Sequence, residues 1–81
     1  GGVRFKAAIV VTADDQGAAI GAISASVAEM HLEITSINGR YDKNGSAIVD
    51  VTVSLTNRQD VDLLIKKIAG HQKIIDVRRA S

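Results

Sequence analysis

From Val3 to Thr12 the chain alternates, with Val3, Phe5, Ala7, Ile9 and Val11 on one side and Arg4, Lys6 and Thr12 opposite. A period of two is the spacing of side chains on a pleated strand, so this segment reads as a strand with one wet face. Ala8 and Val10 interrupt the polar side, which implies some cover there. Ala13-Asp14-Asp15-Gln16-Gly17 reads as a turn, and Asp14 or Asp15 is placed to cap a helix by accepting from its free N–H groups. From Ala18 to about His31, the residues Ile20, Ile23, Val27 and Met30 recur at three- and four-residue spacing and mark an amphipathic helix. Its alanines, with Gly21 and Ser24, would let it lie close on a sheet.

Leu32 to Tyr41 reads as a second strand, carrying Ile34 and Ile37 among the β-formers Thr35 and Tyr41. Its alternation slips at Ser36-Ile37-Asn38-Gly39, where a bulge or bend is expected. Asp42-Lys43-Asn44-Gly45 is a hairpin turn, because Asn-Gly supplies the positive φ angles that tight turns require. The clearest strand follows, with Ala47, Val49, Val51, Val53 and Leu55 alternating against Asp50, Thr52 and Ser54. Thr56-Asn57-Arg58-Gln59 matches a capping box with Thr56 as cap. A second helix would turn Val61, Leu64, Ile65 and Ile68 inward and stop at Gly70. The last strand, Ile74 to Arg79, places Ile75 and Val77 inward and Asp76 and Arg78 outward.

The order strand, helix, strand, strand, helix, strand predicts an α+β fold, a ferredoxin-like βαββαβ sandwich. Two right-handed crossovers put both helices on one face of a four-stranded antiparallel sheet. The two halves, 3–41 and 45–79, share this shape without a sequence repeat. At 81 residues the chain makes one domain, over residues 3–80. Gly1-Gly2, where a methionine would stand, reads as a cleavage remnant or linker. A chain this short buries only about 60% of its extended surface, so pairing with a second copy would add stability.

Charge narrows the function more than it defines it. Ten basic and nine acidic side chains leave a net charge of +1, without the basic footprint of a nucleic-acid or lipid binder. No apolar run is long enough to span a membrane. The absence of cysteine excludes disulfides, thiolate metal sites and cysteine nucleophiles, and fits a cytoplasmic setting. An RNA reader of this fold stacks bases on strand aromatics, but the chain has one Phe and one Tyr and none within Ser46–Val51. An acyl-phosphate hydrolase would need a basic cradle in the first loop, which instead holds Asp14-Asp15. No nucleophile–base pair or carboxylate dyad is readable, so the fragment is expected to be non-catalytic and without a cofactor.

Four features remain. His31 and His71, at the helix ends, read either as a ligand or acid–base pair or as cations facing helix C-termini, the plainer account. Asp14 and Asp15 read as a cation site or, more plainly, as capping and turn residues. Arg78-Arg79 reads as a solvated strand end. The Asp14-to-Ala18 turn is a capped helix start whose N–H groups at Gly17, Ala18 and Ala19 also present positive partial charge to a carboxylate or phosphate.

Several strings together resemble the ACT domain. Thr12-Ala13-Asp14-Asp15-Gln16-Gly17 before a small-residue helix resembles its D-R-x-G turn, and Ile34 to Arg40 resembles its second strand. Asp42 to Ala47 resembles the following hairpin, Val61 to Ile68 the second helix and Ile74 to Arg79 the closing strand. Nearly the whole chain is covered. Within that superfamily, the helix and the terminal Ile-x-Asp-Val-Arg-Arg are most similar to the C-terminal ACT domain of RelA/SpoT proteins, the GTP pyrophosphokinases that make and hydrolyse (p)ppGpp in the stringent response.

The resemblance implies a regulatory domain with catalytic domains upstream in the same chain and a ribosome contact in the full-length protein. It implies pairing into a dimer and an amino acid held between the first turn of one copy and the second strand of its partner. Carried onto this sequence, the turn contributes Asp14, Gln16, Gly17 and Ala18, and the strand contributes Ser36, Ile37 and Asn38. The turn N–H groups would take the carboxylate, and Asn38 or a nearby carbonyl the ammonium group. Asp15 stands where the family has Arg, and Ala18-Ala19 where it has a bulky pair. Two other readings accompany this one. They are an ACT domain of an amino-acid metabolic enzyme under feedback control, and a ligand-free dimerisation module using Ala8, Val10, Ile48 and Ile74 on the outer sheet face.

Overall fold

Alternation in four segments and helical spacing in two produce the elements β1 (Phe5–Ala13), α1 (Gln16–Glu29), β2 (Glu33–Tyr41), β3 (Ala47–Leu55), α2 (Gln59–Ala69) and β4 (Ile74–Arg79). The computed structural model describes residues 3–80, so the Gly1-Gly2 reading lies outside it. All strand pairs are antiparallel and the order is β2-β3-β1-β4, which leaves β2 and β4 as the two edges. This is the expected ferredoxin-like sandwich.

The core lies between the sheet and the helices. Ala7, Ile9, Val11 and Ala13 of β1 and Val49, Val51, Val53 and Leu55 of β3 meet Ala19, Ala22, Ile23 and Val27 of α1 and Val61, Leu64 and Ile68 of α2. Removing these side chains from water is the main favourable contribution to folding, at about 25 cal/mol per Å² of apolar area. The opposite face of the sheet has no helix on it. There Val10 is still buried, with Asp50 and Arg78 as its cross-strand neighbours.

Helix α1 starts two residues earlier than its apolar spacing suggests and is turned slightly from the expected stripe. Its buried arc is Ala19, Ala22, Ile23, Ser26 and Val27, while Ile20 is 42% exposed. Small side chains let the helix settle on that arc, so Ile20 is left at its margin. The helix ends in a Schellman motif: Leu32 N–H donates to the Val27 carbonyl at 3.0 Å and His31 N–H to the Ala28 carbonyl at 3.2 Å. The residue in the left-handed position is His31, with φ of 56°, where glycine is the usual occupant. His31→Gly is therefore expected to raise the unfolding free energy by about 1 kcal/mol. Urea denaturation checks this, and an unchanged or lower midpoint would refute it.

The second helix is capped one residue later than expected. Asn57 Oδ1 accepts from the Gln59 N–H at 3.0 Å, and no hydrogen bond joins Thr56 to Gln59. Both residue types can cap, so the pattern alone did not separate them. Val61, Leu64 and Ile68 are buried and Ile65 half-buried, while Gly70 ends the helix in the right-handed region at φ −76°. Lys67 Nζ reaches Glu29 Oε1 at 2.7 Å and ties α2 to α1. That hydrogen bond, together with the lysine charge, holds the Glu29 carboxyl below the usual carboxylate range.

Two bulges shift the faces of the edge strands. In β2 the register slips between Ile34 and Ser36, a little before the predicted break. In β4 it slips opposite Thr12/Ala13, so that Ile74 pairs with Ala13 while Asp76 pairs with Thr12. Ile74 and Val77 then both pack on the core, and Ile75 is 58% exposed. The expected inward Ile75 and outward Ile74 are thus reversed, because one extra residue flips every position before it. The hairpin forms where read, but only Gly45 takes a positive φ, 83°, and Asn44 does not; the Asp42 carboxylate holds the loop by accepting from the Asn44 and Ser46 N–H groups at 2.9 Å each.

Candidate functional site

The turn between β1 and α1 is fixed by two aspartates with different tasks. Asp15 is the helix cap: its backbone is extended and its Oδ1 accepts from the Ala18 N–H at 2.7 Å. A Cβ on Gly17 would stand 3.3 Å from that oxygen, so glycine gives the carboxylate room over the first turn. Asp14 works through its backbone, donating its N–H to the Lys73 carbonyl at 2.9 Å. Lys73 has φ of 69°, a left-handed conformation for a non-glycine residue, and its Nζ lies 3.9 Å from Asp15 Oδ2. The α2–β4 loop is therefore clasped to the turn by one hydrogen bond and one long ion pair.

Strand β2 runs past the first turn of α1. Ile37 pairs with Val51 and Gly39 with Val49, and both β3 partners face the core, so Ile37 and Gly39 lie on the helix side of the sheet. Ser36 and Asn38 pair with Thr52 and Asp50 on the open side. Within one chain, then, Ile37 shares a face with the turn, whereas Ser36 and Asn38 face away from it. Tyr41, opposite Ala47, is also on the helix side. Ile37 is 44% and Tyr41 60% exposed.

Gly39 and Lys73 are the two neighbours of the turn that residue types alone did not single out. For Gly39 a signal existed: glycine inside a strand pattern marks a close approach. Here the approach is by Gln16, the first residue of α1, whose carboxamide lies over the Gly39 backbone. Nothing in the sequence marks Lys73, whose left-handed backbone only the folded loop reveals.

The remaining candidates have structural surroundings. His71 Nε2 lies 3.5 Å from the Oγ of buried Ser26, and His31 occupies the helix stop described above. Among the described residues neither ring bonds a carboxylate, and no three His, Asp or Glu side chains converge on a common point. Arg78 and Arg79 continue β4 to its pairing with Val10 and Ile9. On the open face Arg40 donates to the two carboxylate oxygens of Asp50 from Nε and Nη2, at 3.3 and 3.4 Å. Among the described residues no helix is long and apolar enough to cross a membrane.

A helix start capped by Asp15 beside an edge strand, on a βαββαβ frame, can be compared with known proteins. A family model of the ACT domain matches residues 1–79. The chain belongs to the ACT domain family. It is thus a regulatory module and itself non-catalytic. No curated protein matches this ACT domain in sequence. Among solved structures it is similar to the ACT domain of a GTP pyrophosphokinase from Chlorobium tepidum, with a TM-score of 0.77 at 19% identity, covering 95% of this chain and 99% of that one. An ACT domain protein from Streptococcus pneumoniae gives a TM-score of 0.70 at 22% identity, covering 93% and 89%. A homoserine dehydrogenase from Thiobacillus denitrificans gives 0.70 at 20% identity over 95% of this chain, which spans only 17% of that protein.

Proposed function

We propose that this ACT domain is the self-associating, amino-acid-responsive regulatory domain of a cytoplasmic (p)ppGpp synthetase/hydrolase. Its catalytic domains lie upstream in the same chain, and the full-length protein makes a ribosome contact. The observation that carries the ligand reading is the β2 edge beside the first turn of α1, where Ile37 and Tyr41 stay exposed on the helix side. A second copy pairing along β2 covers that apolar strip and brings its own strand up to the turn. In that dimer the N–H groups of Gly17 and Ala18 receive the ligand carboxylate, with Asp14 and Gln16 beside them. Ile37, Ser36 and the Asn38 backbone of the partner line the other wall. The parent enzyme is argued from the closing Ile74-Ile75-Asp76-Val77-Arg78-Arg79 string, which resembles that of the RelA/SpoT group.

A specific likeness favours a second reading. Similarity to part of a homoserine dehydrogenase fits an ACT domain under feedback control in an amino-acid metabolic enzyme. The sequence of the adjoining domain separates the two parents. Ligand response is tested by NMR amide titration with valine, leucine and isoleucine at millimolar concentration. Saturable shifts at Gly17, Ala18 and Asn38 are expected. A silent spectrum with all three would leave a ligand-free pairing module.

A further inference from the structure

We infer that β4 is a self-complementary edge, which pairs antiparallel with β4 of a second copy of this chain about Val77. Strand β4 is the edge opposite β2, so within the chain only its β1 side is bonded. The Ala80 N–H donates to the Ala8 carbonyl at 2.7 Å, two residues beyond the pairing of Arg78 with Val10. Antiparallel ladders alternate, so the backbone groups of Asp76, Arg78 and Ala80 point at β1 while those of Val77 point out of the sheet. A second β4 laid against that edge takes its hydrogen bonds at Val77, one in each direction.

In that register Asp76 of each copy stands opposite Arg78 of the other. Both lie on the open side of the sheet, since they pair with Thr12 and Val10 of β1. Next to a hydrogen-bonded Val77 pair they make the non-hydrogen-bonded kind, in which side chains come closest. Two opposite-charge contacts result. Among the described residues neither the Asp76 nor the Arg78 side chain is engaged elsewhere. Sliding the strands by two residues sets Asp76 against Asp76 or Arg78 against Arg78, so charge selects the one register. On the helix side the half-buried Val77 of each copy, packed against its own core, meets its equivalent across the junction. Ile75, 58% exposed, lies along the same edge. Pairing here leaves β2 at both outer edges, so it is compatible with pairing along β2 and would extend the assembly past a dimer.

The test is made in chains that all carry Ile37→Lys, which silences the β2 edge. Four samples are run in sedimentation equilibrium up to millimolar concentration: this parent chain, the parent with Asp76→Arg, the parent with Arg78→Asp, and an equal mixture of those two. Circular dichroism checks that each is folded, and a chain with both reversals keeps the charges complementary as a further control. The parent chain is expected to dimerise. Either reversal alone sets like charges opposite at both contacts and should raise the dissociation constant about tenfold. Mixing the two variants sets opposite charges together again and should restore the affinity to within about twofold of the parent. A monomeric parent chain, reversals without effect, or a mixture no tighter than its components overturns the β4 pairing. Pairing along β2 is judged separately, from wild type against Ile37→Lys, so either can fail alone.

Discussion

Ile23→Ala is expected to lower the unfolding free energy by about 2–5 kcal/mol, the range for an aliphatic side chain deleted from a packed core. Ile23 is fully buried on the arc by which α1 meets β1 and β3. Its neighbours on the arc, Ala19, Ala22 and Ser26, are too short to collapse into the space left behind. At about 0.05–0.15 kcal/mol per residue, the whole chain has only about 4–12 kcal/mol to lose. The variant should sit near the edge of folding, and its urea midpoint followed by circular dichroism measures this. Ile20→Ala is the matched control: the same atoms are removed from a site 42% exposed, so the loss should stay under about 1 kcal/mol. Equal losses at the two positions would mean that α1 rests on the sheet through a different face.

The second large effect concerns the proposed pairing along β2. If two copies pair there, Ile37→Lys is expected to raise the dissociation constant at least about a hundredfold, or about 2.7 kcal/mol. Strand β2 is an edge strand of nine residues in which all but Ile34 are exposed, so it offers a long row of unpaired N–H and C=O groups. An edge of that length with apolar side chains invites another strand, and an inward-pointing charge is the usual device that forbids it. On the isolated domain a lysine at position 37 can run its stem along the strand and keep its ammonium in water. Between two paired copies the ammonium would be shut into the seam. Sedimentation equilibrium separates the cases. An unchanged constant would move any interface elsewhere, with Val3, Ile20 on α1, Leu63 on α2 and Ile75 on the β4 edge as the other exposed large apolar residues.

The architecture was legible because four alternations and two helical stripes agree with one another and with the turn residues between them. What escaped reading has physical causes that single residues illustrate. The stripe through Ile20 competed with one through Ala19, Ala22 and Ser26, and alanine and serine give too little hydrophobic contrast to decide the matter. The reversal of Ile74 and Ile75 follows from a bulge that no glycine announces. Ile74 therefore drops out of the outer face once proposed for docking, where Val10 is already covered. The large aliphatic side chains left exposed on the elements are Ile20 on α1, Ile37 on β2, Leu63 on α2 and Ile75 on β4.

At the candidate site the turn was read from residue types, since aspartate, glycine and small residues before a helix have few other uses. Either aspartate fitted the cap on paper, and only folding assigns it to Asp15 while Asp14 binds Lys73 through its backbone. The strand side was harder. Which of Ser36, Ile37 and Asn38 faces the turn depends on the bulge at Thr35, a property of register rather than composition.

The placement of Tyr41 also has a practical consequence. The chain contains no tryptophan and a single tyrosine, so its near-ultraviolet absorbance and intrinsic emission come chiefly from one ring. That ring stands on the open edge of β2, opposite Ala47. The molecule thus carries a spectroscopic label at its candidate seam, one that stays nearly blind to the packing of the core and answers to whatever comes to lie against the strand.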